Sequence, residues 1–87
     1  DDVGSWNAME RTYTPDENDN VISGNILSID SSNCILQGEK KLIACVGLED
    51  LVVVDTDDAM LICSKEHTSD IRKIIERLKE NGSTELI

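Results

Sequence analysis

The sequence predicts a mainly β domain, a coil of stacked turns or a small barrel, held between a short helix and a longer amphipathic one. Three observations predict it. From residue 21 to residue 64, β-branched apolar runs alternate with turn residues about every 8–10 positions. Residues 69–81, SDIRKIIERLKEN, place Ile71, Ile74, Ile75 and Leu78 on one helical stripe. Residues 5–13, SWNAMERTY, place Trp6, Met9 and Tyr13 on another.

The first helix starts where Ser5 can act as its N-cap, and Pro15 with the polar run Asp16–Asn20 ends it. TPDENDN then reads as a turn. Its Asp16, Asn18 and Asn20 alternate as calcium-loop ligands do, but Val21 stands where such a loop needs Gly and Leu27 where it needs a bidentate Glu. A plain turn is therefore the stronger reading.

The β region divides into about five short strands. VISGNILSI leads into DSSN, NCILQ into GEKK, LIACV into GLED, LVVVD into TDD, and AMLICS closes the set. Gly24, Gly38 and Gly47 mark tight turns or close backbone approach. LVVV and MLIC are apolar at consecutive positions, which predicts strands covered on both faces. Strands so short and so evenly spaced suit a coil or a barrel better than an open sheet, whose long apolar edges would invite aggregation. For the last helix, Thr68 or Ser69 can cap the start, Asp70 suits the helix dipole, and Asn81-Gly82 supplies the stop. Its outer face carries Arg72, Lys73, Arg77 and Lys79 and reads as a solvated surface.

Composition narrows the function. Eighty-seven residues make one small domain, burying only about 60–65% of its unfolded surface. Phe is absent, so the core must be aliphatic. A net charge of −10, from 18 acids and 8 bases, argues against nucleic acid and against an anionic membrane surface. No apolar run reaches the roughly 18 residues of a membrane span, and nothing resembles a secretory signal. Cys34, Cys45 and Cys63 lie inside apolar runs without metal-ligand spacing and are expected as buried thiols, which fits a reducing cytoplasm.

No catalytic set assembles from the residues. His67 is the single histidine and has no nucleophile at a suggestive spacing. Asp55, Asp57 and Asp58 could bind a cation, although Asp and Thr in TDD more simply make a turn. Asp1 and Asp2 precede a Gly-Ser turn into a helix, a place where one carboxylate could help hold a divalent metal. The opening DDVGSW, without an initiator Met, is expected to continue a longer chain.

DDVGSWNAME, DENDNVISGNI, IDSSNCIL, GLEDLVVVDTDDAMLI and DIRKIIERLKENG occur here in an order that resembles the C-terminal part of bacterial mannose-1-phosphate guanylyltransferases. The resemblance covers essentially the whole chain. It implies an enzyme that joins GTP and mannose 1-phosphate into GDP-mannose, releasing pyrophosphate with Mg²⁺, through a nucleotide-binding domain that lies before DDVGSW. It implies that Asp2 is a metal ligand acting with an Asp from that other domain. Residues 1–19 become the tail of the catalytic domain and its linker. Residues 20–87 become a short left-handed β-helix with its C-terminal helix, in a region associated with homodimer contacts. Asp19 replaces the Gly expected in that turn, a change the left-handed backbone tolerates. The chain by itself is then expected to be inactive, with no catalytic residue of its own, and to serve oligomerisation. The competing reading is a stand-alone acidic, β-rich protein-interaction domain. The stripe Trp6, Met9 and Tyr13 is expected to fold back on the β unit or to pack against a neighbouring chain.

Overall fold

The computed structural model describes residues 6–82. Helix α1 (Trp6–Thr12) is followed by strands β1 (Val21–Ser23), β2 (Ile26–Ile29), β3 (Ile35–Gln37), β4 (Ile43–Val46), β5 (Leu51–Asp55) and β6 (Met60–Ser64). A 3-10 turn (Lys65–Asp70) leads into helix α2 (Ile71–Glu80).

The first five strands wind as a coil. Val21 pairs with Ile35 and Ile35 with Val52, all in parallel, so β1, β3 and β5 lie one above another on one wall. Ile26 pairs with Ile43 in parallel, which stacks β2 and β4 on a second wall. A parallel bridge between Ser32 and Glu49 marks a third side. Strand β6 breaks the pattern, turning back antiparallel against β5 to finish the first wall in the order β1-β3-β5-β6. The coil of stacked turns is therefore the form adopted, with six strands among the described residues.

The extra strand arises inside VISGNILSI. Gly24 has φ +99°, and a Cβ there would run into the carbonyl group of Gly38 one turn further along. Only glycine allows the chain to bend there and the next turn to stack so closely. At a second corner the same problem is solved with Asp and Asn. Asp19, Asn33 and Asp50, each two residues before the paired Val21, Ile35 and Val52, have φ of 62°, 55° and 57°. Short polar side chains tolerate this left-handed region better than other residues do, as expected for Asp19.

The wall β1-β3-β5 is covered on both faces. Inside the coil lie Cys34, Leu36, Cys45 and Val53, with Ile22, Ile26, Ile43, Leu48 and Leu51 packed around them. Outside, Val21, Ile35, Val52, Val54 and Leu61 meet Met9 of α1 and Ile71 of α2, and Trp6 and Ile75 complete the layer. Fully burying one such aliphatic side chain is worth about 1.5–3 kcal/mol, so the two helices contribute a large share of the stability of this small domain. The α1 stripe folds back on the β unit as expected, except that Tyr13 is exposed.

One buried polar residue ties the coil together. Asn20 is 2% exposed; its Nδ2 donates to the Ser31 carbonyl at 2.8 Å, and its Oδ1 accepts the Cys34 N–H at 2.9 Å. It satisfies a backbone donor and a backbone acceptor that the corner leaves unpaired.

The start of the second helix differs from expectation. Neither Thr68 nor Ser69 caps it. Ser64 caps the preceding 3-10 turn, accepting the Glu66 N–H at 3.3 Å, and Asp70 occupies the α2 cap position without a side-chain cap bond. At the other end, Asn81 and Gly82 donate back to the Arg77 and Lys79 carbonyls. Cys34 and Cys45 are buried free thiols, whereas Cys63 is half-buried.

Candidate functional site

Asp2, the expected metal ligand, lies outside the described residues, as do Asp1, Gly4 and the cap Ser5. The other candidates can be placed. Asp16 Oδ1 accepts the N–H groups of Asn18 and Asn20, both at 2.9 Å, while its carbonyl accepts the Asp19 N–H at 3.0 Å. DENDN is thus a turn closed by its own carboxylate.

The acidic cluster after β5 is also a turn. Thr56 closes the β5–β6 hairpin. Its N–H and its Oγ1 donate to the Ala59 carbonyl at 2.9 and 3.0 Å, and Oγ1 accepts the Ala59 N–H at 3.2 Å. Asp55 is almost buried and faces Lys41 Nζ at 3.6 Å, and Asp57 faces Lys40 Nζ at 3.4 Å. These carboxylates neutralise lysines from the β3–β4 connection. Among the described residues, no cluster of three or more His, Cys, Asp or Glu side chains is placed to hold a metal ion.

His67 sits at the mouth of a groove. Its Nδ1 lies 3.2 Å from Asp70 Oδ2, and Lys73 Nζ lies 3.2 Å from Asp70 Oδ1. The hydrogen bond with His67, and after it the bond and charge of Lys73, hold the Asp70 carboxyl below its ordinary range. Burial, with a smaller push from Asp70, raises the Cys63 thiol. Burial also raises Cys45, helped by Cys34. A reactive cysteine needs the opposite shift, so these thiols act as packing groups.

What the described residues do offer is uncovered apolar surface. On the outer face of β2–β4, Leu27, Ile29 and Val46 project away from the coil, and Leu42 stands just before β4. A second surface lies where β6 meets α2. A groove of about 270 Å³ there is lined by Leu61, Ile62, Cys63, Ile71 and Ile74, with His67 and Asp70 at its rim. Ile62 is 65% exposed, Ile74 49% and Met60 48%. This corrects two readings of the sequence. MLIC is not covered on both faces, because β6 lies beyond the coil and its Met60 and Ile62 side chains stay about half exposed or more. The α2 stripe is also only partly buried, with Ile74 turned to the groove. Sequence reasoning missed this surface; the signal that could have found it is the absence of any charge in MLICS.

Comparison with known proteins places the chain. Alginate biosynthesis protein AlgA of Pseudomonas aeruginosa is 42% identical over 84 residues, covering 97% of this chain and 18% of the relative. Mannose-1-phosphate guanylyltransferase of Klebsiella pneumoniae matches to the same extent. The chain thus spans about a fifth of the length of these relatives. Among solved structures, mannose-1-phosphate geranyltransferase from Thermus thermophilus is similar with a TM-score of 0.73 and 31% identity, over 91% of this chain and 24% of that one. The chain belongs to the MannoseP isomerase/GMP-like β-helix domain family, whose model matches residues 24–78.

Proposed function

We propose that the chain is the non-catalytic β-helix module of an enzyme that forms GDP-mannose and pyrophosphate from GTP and mannose 1-phosphate, and that its own task is self-association as a homodimer. One observation carries the reading. The likeness to guanylyltransferases runs along nearly the whole chain, yet the described residues gather exposed apolar side chains in place of reactive ones. Patches of this kind on a small domain mark interaction surfaces.

In this reading both substrates bind to parts of the enzyme outside the chain, in the cytoplasm, and neither nucleic acid nor membrane is a partner. No helix among the described residues is long and apolar enough to cross a membrane. Mg²⁺ would neutralise phosphate charge during guanylyl transfer, with Asp2 as one of its ligands. The described residues do not fit that ion. The Asp16 carboxylate is taken up by backbone N–H groups, and Asp55 and Asp57 by lysines. No step of the reaction is assigned to them.

The test is an assay for GDP-mannose with the purified 87-residue chain, GTP, mannose 1-phosphate and Mg²⁺. No turnover is expected, and measurable product would contradict the reading.

A further inference from the structure

Among the described residues strand β6 is an edge strand, and the alternation of its backbone bonds fixes which groups face outward. The Thr56 N–H donates to the Ala59 carbonyl, and the Lys65 N–H donates to the Asp50 carbonyl. In an antiparallel ladder, bonded positions alternate, so Ala59, Leu61, Cys63 and Lys65 turn their backbone groups toward β5. Met60, Ile62 and Ser64 turn theirs outward. Met60 and Ile62 are also the residues with exposed side chains. The strand carries no charge, no proline and no bulge, the devices that keep natural edges from pairing. The opposite edge of the same sheet, β1, is only three residues long.

We propose that β6 pairs antiparallel with β6 of a second copy of this chain, about a two-fold axis through Ile62, joining two four-stranded walls into one continuous sheet. This rests on the self-association reading and names the surface that carries it.

A second copy is the occupant because the edge is complementary to itself. In this register Ile62 faces Ile62 of the second copy as a hydrogen-bonded pair, and Met60 faces Ser64, so the outward N–H and C=O groups on both strands find partners. The groove beside β6 and its continuation are lined by Ile74, Asp70 and Arg77 of α2, so the second copy meets an apolar side chain and both signs of charge next to the paired edge. Arg77 makes no ion pair among the described residues and lies on the continuation of the groove, next to Asp70, Lys73 and Ile74. Apolar side chains and main-chain groups are thus matched by one symmetry operation, as an isologous interface requires.

Sedimentation velocity over a range of concentrations tests this with the 87-residue chain and three variants. Ile62→Lys places a charge at the centre of the paired edge. Ile62→Pro removes an N–H that β5 does not use, a change an edge strand accepts, so the fold survives while two central intermolecular bonds are lost. Val46→Lys charges the β2–β4 face. The expected result is a wild-type dimer, at least about tenfold weaker association in both Ile62 variants, and an unchanged dimer for Val46→Lys, with circular dichroism spectra alike throughout. Ile62 variants that dimerise like the wild type would overturn the β6 assignment, and a Val46→Lys variant that alone dissociates would move the interface to β2–β4. A wild-type chain that stays monomeric at every concentration would overturn the self-association reading itself.

Discussion

The two walls of the coil are built from the same kind of strand and meet different fates. The wall β1-β3-β5 is apolar on both faces, with the coil interior behind it and α1 and α2 in front. The wall β2–β4 has the same interior behind it and nothing in front among the described residues, although Leu27, Ile29 and Val46 are as apolar as the residues the helices cover. Strand β6 belongs to the covered wall by its hydrogen bonds, but its outward side chains behave like those of the bare one. Hydrophobicity therefore marks surfaces that need covering, and the described residues cover only some of them.

Substitutions can sharpen this contrast. The largest effect is expected inside the covered wall. Leu36→Ala should cost about 2–5 kcal/mol, because a fully buried side chain leaves a cavity. Val46→Ala on the bare wall should change stability by less than about 0.5 kcal/mol. Urea denaturation of the two variants under monomeric conditions measures the difference.

Next come the corners that let the walls stack. Gly24→Ala should destabilise by about 2–3 kcal/mol, since a methyl group meets the Gly38 backbone and φ is positive. Gly47→Ala, with φ +68° but open space around it, should cost only about 1 kcal/mol. Thermal melts of both proteins separate the steric cost from the conformational one.

The polar ties should rank below these. Asn20→Ala leaves the buried Ser31 carbonyl and Cys34 N–H without partners and should cost about 2 kcal/mol. Asn33→Ala removes exposed bonds to Asp50 and Lys65 and puts Ala at φ 55°, which together should cost about 1 kcal/mol. Equal losses in denaturant midpoint would show that the buried corner is no more important than the exposed one.

The smallest effect belongs to Asp70. Its carboxyl is held below the ordinary value, mainly by the hydrogen bond with His67 and then by Lys73. A depressed carboxyl contributes stability above its unfolded pKa, and that contribution is lost as pH falls through the folded value. Asp70→Asn should therefore melt slightly below the wild type at neutral pH and converge with it in acid. A gap that widened toward acid would contradict the assignment.

Much of the fold is legible in the sequence because local rules and packing agree. The αL corner at Asp19, the hairpin turn at TDD and the Asn81-Gly82 stop depend on a few neighbouring residues, and each appears as expected. The choice between a coil and a barrel stays open at that level, because strand spacing does not say which strand stacks on which. The break at Gly24 does not read as a strand boundary, since its reason is a carbonyl contributed by the next turn. The open side of MLICS is hidden for the same kind of reason: an apolar run looks alike whether the covering comes from the same chain or from another. Of the candidate site, Asp2 lies outside the described residues, and the edge at Ile62 becomes visible only once β6 is placed as the end strand of the described sheet.

Amide hydrogen exchange followed as the wild-type chain is diluted separates a paired β6 edge from a free one. The Ile62 N–H points away from β5, so within one chain it should exchange freely, while the Leu61 and Cys63 N–H groups are held by the ladder. If the chain associates through β6, Ile62 will be protected at high concentration and lose that protection on dilution, with Leu61 and Cys63 unchanged. If the Ile62 amide exchanges at the same fast rate at every concentration, β6 does not pair with a second copy.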